Sequence, residues 1–293
     1  MTSAIETKSL TKDYGNGHGI FDLDLAVNEA EVFGFLGPNG AGKTTSIKLL
    51  MGMTHATRGS ATVFGLDADR DAVAVKKKVG YVPGELPQFG GWRGSEIVAY
   101  LAGIRGDLDD AEVTSVAKRL DLDLSRKYRE YSHGNKQKLA LLLAFAPKPT
   151  LLILDEPTSG LDPLHQQEFY GLVRDARTRG ATIFISSHVL SEVEQICDRV
   201  GIVREGHLAT VGRVAELSGI HAHRVEIELA DAAAAERLRT TPGLEQVTVD
   251  GARLSGMYRG SFEPLMAALA AERVVSLVSR EPTLEEIFLS YYK

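Results

Sequence analysis

The sequence predicts an α/β core followed by a small α+β domain, and three observations carry that prediction. Residues 32–36 and 151–154 are short, nearly unbroken apolar runs, the pattern of strands buried on both faces of a parallel sheet. Helical patterns lie between such runs, and strand–helix alternation is the mark of an α/β core. Beyond about residue 220 the pattern changes to alternating strands around the tight-turn dipeptide Asp250-Gly251.

Taken in order, the strand at 32–36 leads into a helix over 43–51, and further helices are expected over 94–103, 111–120 and 134–146. The second buried strand, 151–154, is followed by a helix over 165–178 and by a third strand, 182–185, rich in β-branched and aromatic residues. These elements define a first domain over residues 1–218. In the remainder, 223–229 alternates like a strand and Asp231 is placed to cap the alanine-rich helix after it. Strands at 245–249 and 253–258 flank the turn; a helix over 261–271, a strand at 274–278 and a last helix at 283–291 follow. The order β-α-β-β-α-β assigns a ferredoxin-like α+β domain to residues 221–293.

Composition narrows the class. A chain of 293 residues with 44% hydrophobic and 25% charged residues is an ordinary globular protein long enough for one large domain or two smaller ones. Its net charge of -6 argues against a surface built to neutralise nucleic-acid phosphates, so no direct nucleic-acid binding is expected. Cys197 is the only cysteine, which precludes an internal disulfide and points to a reducing cytoplasm. The first residues show no basic-then-apolar signal, and no apolar run approaches the ~20 residues of a membrane helix. Work at a membrane would therefore proceed through partners.

The chemistry concentrates at strand ends. Gly37, Pro38, Asn39, Gly40, Ala41, Gly42, Lys43, Thr44 and Thr45 fit the P-loop pattern, between a buried strand and a helix. Glycines allow the backbone to aim successive N–H groups at phosphate oxygens, and the helix N-terminus adds its positive dipole end. Lys43 suits the β- and γ-phosphates, and the Thr44 hydroxyl suits Mg²⁺. The strand at 151–154 ends in Asp155 and Glu156, at the edge of an open sheet where ligands bind. Asp155 is the candidate second metal ligand, and Glu156 the base that orients and deprotonates water. ATP with Mg²⁺ is the expected ligand pair.

Four further stretches give the chain its resemblance to ABC ATPases. Tyr131-Ser132-His133-Gly134-Asn135 resembles the family's LSGGQ signature, ahead of the acidic strand. Ser159-Gly160-Leu161-Asp162 resembles the D-loop, His188 the switch histidine that senses the γ-phosphate, and Tyr14 the aromatic that stacks on adenine. The resemblance covers residues 4–218, with the motifs in the family's order. It implies a RecA-like core with an antiparallel β subdomain and an α-helical subdomain, and ATP hydrolysis with Lys43, Glu156 and His188 as catalytic residues. It also implies that Ser132 and Gly134 meet the nucleotide of a second cassette subunit in a head-to-tail dimer, expected to be a homodimer, with Asn135 and Asp162 as further candidate nucleotide contacts. Separate transmembrane permease subunits and a peripheral place on the cytoplasmic face of the membrane follow from the same resemblance.

The chain also departs from the family pattern. Tyr131, His133 and Asn135 replace Leu, Gly and Gln of the signature, while Gly84 stands where the Q-loop carries Gln. Glu85 either reaches the metal or its water or is a solvated loop carboxylate. Phe89 and Trp92 either anchor a partner or tuck under their own helical subdomain. The variant motifs, and the tail from Glu281 onward, resemble the branch that powers drug, lipid and polysaccharide exporters. The alternatives are a soluble ABC ATPase acting on another macromolecule and a weakly hydrolytic nucleotide-binding regulator.

Overall fold

Valine, phenylalanine and leucine side chains crowd both faces of β3 (Val32–Leu36), and every residue of this strand is buried. Such a strand needs neighbours on both edges and layers on both faces. The computed structural model describes residues 3–106, 108–214, 216 and 222–280, in two units divided between Arg213 and Val214.

In the first unit, β1 (Ser3–Asp13) and β2 (Gly19–Asn28) precede β3, and α1 (Lys43–Leu50) follows it. Next come β4 (Arg58–Val63), β5 (Leu66–Asp67), α2 (Ala72–Lys78) and β6 (Val79–Val82). A helical insertion then holds α3 (Gly94–Arg105), α4 (Asp110–Arg119), a single 3₁₀ turn at Tyr128–Glu130 and α5 (His133–Phe145). The chain returns through β7 (Leu151–Asp155), α6 (Pro163–Thr178), β8 (Thr182–Ser187), α7 (Leu190–Ile196), β9 (Arg199–Arg204) and β10 (His207–Arg213).

The main sheet has the order β10-β9-β3-β8-β7-β6, parallel except for the β10 edge. A second, antiparallel sheet runs β2-β1-β4-β5. Its inner residues Ile5, Leu10 and Ile20 share one core with Phe33, Phe35 and Ile47 of β3 and α1. Phe33 and Phe184 stack across β3 and β8, with ring centroids 5.9 Å apart. The parallel register brings Leu36, Asp155 and Ser187 to the same end of the sheet, which is where the site forms.

The helical insertion is anchored by α5, whose apolar face is buried against β6. Gly80 of β6 makes the close approach possible, because a Cβ there would lie 2.2 Å from the Ala144 carbonyl oxygen. Backbone atoms cannot yield cheaply, so Gly80→Ala is expected to destabilise the first unit by about 1–3 kcal/mol. Denaturant unfolding measures it, and an unchanged midpoint would contradict this packing.

The second unit consists of β11 (Ala222–Leu229), α8 (Ala232–Leu238), β12 (Leu244–Asp250), β13 (Arg253–Arg259), α9 (Glu263–Ala270) and β14 (Val274–Arg280). Asp231 caps α8 by accepting from the Ala234 N–H at 2.8 Å. The sheet order β12-β13-β11-β14, antiparallel throughout, is the ferredoxin-like arrangement. Val225, Ile227, Leu238, Leu254 and Tyr258 form its core. The helix expected at 283–291 lies outside the described residues.

Candidate functional site

The turn after β3 must reverse the chain tightly and still start a helix, and Gly42 is what permits it. Its φ is +105°, and a Cβ would come within 2.5 Å of the Ile20 side chain. Lys43 then begins α1 with its side chain turned back over the loop. Its Nζ donates to the Gly37 carbonyl at 2.6 Å and to that of Pro38 at 3.2 Å, and the residue is 6% exposed. The next side chain, Thr44, donates from its hydroxyl to Asp155 Oδ2 at 2.8 Å.

Asp155, at the end of β7, is completely buried, and its Oδ1 accepts from the Ser186 hydroxyl of β8. Its charge reaches further: burial first, and then Asp155, pushes the Tyr81 phenol up to about 12, so this hydroxyl remains neutral. Glu156 follows with φ +49°, a left-handed conformation that costs a non-glycine residue about 1–2 kcal/mol. The Glu156 N–H is held by the Ser186 carbonyl at 3.2 Å. This bend turns its carboxylate toward the P-loop rather than along the strand. Glu156 Oε2 meets His188 Nδ1 at 2.7 Å, while Oε1 lies 3.2 Å from Lys43 Nζ. That ion pair lacks hydrogen-bond geometry, so Oε1 is a buried acceptor without a donor.

A cavity of about 280 Å³ reaches from Tyr14 and His18 past Asn39 and Lys43 to Thr44 and Glu156. Gly37 and Ala41 lie on the loop behind it, and Pro38, Gly40, Gly42 and Thr45 line it. Tyr14 stands at its mouth, 56% exposed, with Lys12 Nζ 5.2 Å from the ring centroid. The structure thus brings Tyr14, the P-loop, Asp155, Glu156 and His188 together.

It does not bring the signature residues or Asp162 to that cleft. Ser132 caps α5, its hydroxyl accepting from the Asn135 N–H at 3.2 Å. Gly134 touches the D-loop so closely that a Cβ would lie 2.6 Å from the Gly160 carbonyl oxygen. Asp162 caps α6 through the His165 N–H at 3.1 Å, and hydrogen bonds from His165 hold its carboxyl below the usual range. Tyr131 fills a buried position and satisfies its hydroxyl on the Asp123 carbonyl at 2.7 Å. Gly94 leaves room for that hydroxyl.

Gly84 abuts the metal side of the cleft: a Cβ there would approach Asp155 Oδ2 to 2.9 Å. Gly84 and Glu85 border a larger groove of about 800 Å³, walled by Met51, Leu86, Phe89 and Tyr128. Phe89 packs edge-on against Tyr128, with centroids 5.3 Å apart. Trp92 is instead 45% exposed and pairs with the exposed Tyr100 at 5.4 Å. Sequence reasoning missed Ser186, which steadies both carboxylate residues. It also missed Gln137, whose amide donates to the Pro157 carbonyl at 2.9 Å. Ser186 stands two residues before His188, and that proximity was its one available signal.

A P-loop on a parallel sheet, with a hydroxyl–carboxylate pair and a second carboxylate beside the lysine, defines a nucleotide-hydrolysing protein. The comparisons specify which kind. Residues 20–159 match the family model described as ABC transporter. The chain is 36% identical over 242 residues to the bacitracin transport ATP-binding protein BcrA of Enterococcus faecalis, covering 81% of this chain and 78% of that one. It is 32% identical to the daunorubicin resistance ATP-binding protein DrrA3 of Streptomyces coeruleorubidus, covering 98% and 95%. A solved ATP-binding subunit of an ABC transporter superposes with a TM-score of 0.68 at 28% identity, covering 73% of this chain and 92% of that one. The chain belongs to the ABC transporter family, as an ATP-binding protein of the exporter type, and is an ATPase.

Proposed function

We propose that the chain powers export through separate membrane subunits, two copies closing head to tail on two Mg·ATP. The observation that carries the catalytic half is Glu156 Oε1, a buried acceptor without a donor beside Lys43 in the P-loop cleft. A water between this oxygen and a γ-phosphate would satisfy it, and buried acceptors are rarely left unpaired. Glu156 then takes the water's proton as the oxygen forms its bond to phosphorus, and the bond to the ADP oxygen breaks. His188 holds Oε2 and so aims the carboxylate, and its exposed ring contacts the γ-phosphate. Lys43 exchanges its loop carbonyls for β- and γ-phosphate oxygens.

Thr44 and Asp155 present a hydroxyl and a carboxylate 2.8 Å apart, an oxygen donor set that fits Mg²⁺. Bound there, Mg²⁺ would supply charge neutralisation for the phosphates. Tyr14 offers its exposed face to the base, a contact worth ~1–3 kcal/mol. Asn39, Gly40 and Gly42 wrap the phosphates with backbone N–H groups. Ser132, Gly134, Asn135 and Asp162, which lie outside this cleft, serve the nucleotide of the opposing copy.

Export is supported by the names of the relatives, which concern bacitracin transport and daunorubicin resistance. Among the described residues no helix is long and apolar enough to cross a membrane; in the proposed arrangement the path for substrate belongs to other subunits. The working place is then the cytoplasmic face of the membrane. Trp92, Tyr100 and Ile104 expose large apolar side chains on one region of the helical insertion, a surface suited to a membrane subunit. Trp92→Ala is expected to lower export by about tenfold, because exposed aromatic anchors dominate such contacts. Basal ATPase activity should stay within about twofold, since Trp92 touches no part of the cleft. Undiminished export from vesicles carrying this variant would remove the coupling role.

A further inference from the structure

We propose that His165 is a positioning residue that fastens the D-loop to the signature helix through a Lys138–His165–Asp162 chain, which runs from a buried ammonium to an exposed carboxylate. The idea rests on the head-to-tail reading above, in which both segments face the opposing nucleotide.

The three residues come from different places. Lys138 lies on α5 one turn beyond the signature, Asp162 closes the D-loop, and His165 sits in the first turn of α6. Lys138 is 6% exposed, unusually deep for an ammonium group. Its Nζ lies 2.8 Å from His165 Nε2, and His165 Nδ1 lies 2.6 Å from Asp162 Oδ2. An ammonium only donates, so Nε2 must accept, and the neutral ring carries its proton on Nδ1. That proton is donated to Asp162. The imidazole therefore has one arrangement that satisfies both neighbours, and it passes the lysine's charge toward the carboxylate.

Burial alone pushes the Lys138 ammonium down, while the charges of Asp121 and Asp162 draw it up. Without the ring, a charge nine-tenths buried would lose its hydrogen-bond acceptor, which is costly. The same two segments also meet nearer the signature's start. His133 lies against Gly160, and Gly134 approaches the Gly160 carbonyl. Two points of attachment fix an orientation where one would leave a hinge. The Ser132–Gly134 edge and the D-loop are thereby presented to an opposing subunit as one face.

The test uses all 293 residues of the chain. His165→Ala should speed amide exchange at residues 132–136 and 160–166 of the isolated subunit, and lower kcat by about ten- to a hundredfold. The KM and the affinity for a fluorescent ATP analogue should stay within about twofold, because the P-loop cleft is untouched. His165→Gln should restore both exchange and kcat, since its amide oxygen accepts from Lys138 and its amide N–H donates to Asp162. Lys138→Met should behave like His165→Ala, and the double variant should be no worse than either single one. Unchanged exchange in His165→Ala overturns the clamp itself. Faster exchange with native kcat overturns the positioning role, as does a folded His165→Gln variant as slow as the alanine one. Failure of the head-to-tail reading is seen separately, in Ser132→Arg, and leaves the exchange result standing.

Discussion

Glu156→Gln is expected to lower kcat by about 10²–10⁴-fold while ATP binding persists. The substitution keeps the side chain's size and its place at the end of β7, so the left-handed bend and the Ser186 contacts that hold it survive. What it removes is the charge and basicity of the carboxylate, and with them the ability of the oxygen beside Lys43 to take a proton. An amide cannot take a proton from water at neutral pH. It also removes a negative charge next to the site of a γ-phosphate, so ATP should bind at least as tightly. With hydrolysis blocked, two copies should remain closed on nucleotide. Single-turnover kinetics and size-exclusion chromatography with ATP read both effects. A variant that turns over at the native rate would remove Glu156 as the base.

The juxtaposition of the P-loop and the two carboxylates was legible in the sequence because each part sits where chain order and space agree. The P-loop follows β3 directly, and Asp155 and Glu156 end β7, so the parallel register alone brings them together. Buried parallel strands were legible for the same reason, as unbroken apolar runs. The antiparallel sheet was implied by the family resemblance but could not be read residue by residue. Along β1 the period of two is broken by register shifts, one between Thr7 and Leu10, where Ser9 takes φ +44°. Its burial therefore does not alternate, and no periodicity announces a strand. Within the site, Ser186 and His165 escaped notice because their partners lie on other elements. Asp155 Oδ1 pairs with Ser186 across two strands, and Lys138 reaches His165 across two helices. Nothing local in either stretch marks such a contact. Gly84 was legible only as a missing side chain. The structure supplies its neighbour, the Asp155 carboxylate, which leaves little room for a Cβ.

The proposed division of each active site between two copies leads to the second large effect. Ser132→Arg should retain ATP binding and lose nearly all turnover, by about 10²-fold or more if closure is what assembles the site. The long cation would cover the start of α5, which Ser132 caps and where, in the proposed dimer, helix N–H groups and the hydroxyl would meet a phosphate. Loss of the cap on the Asn135 N–H costs about 1 kcal/mol, too little to unfold the domain. Lys43→Ala should be equally inactive for the opposite reason, because its own P-loop no longer holds the phosphates. Neither variant alone can build a complete site in a head-to-tail homodimer. Mixed in equal amounts, however, half of the dimers carry one copy of each. Such a dimer joins the intact P-loop of the Ser132→Arg copy to the intact signature of the Lys43→Ala copy. Its other site is doubly defective. The mixture should therefore recover about a quarter of the native activity, as random pairing of the two copies requires. Steady-state phosphate release from the mixture and from each variant alone measures this directly. A site contained within one subunit predicts no recovery at all, and a Ser132→Arg variant with native turnover would exclude the shared site before any mixing.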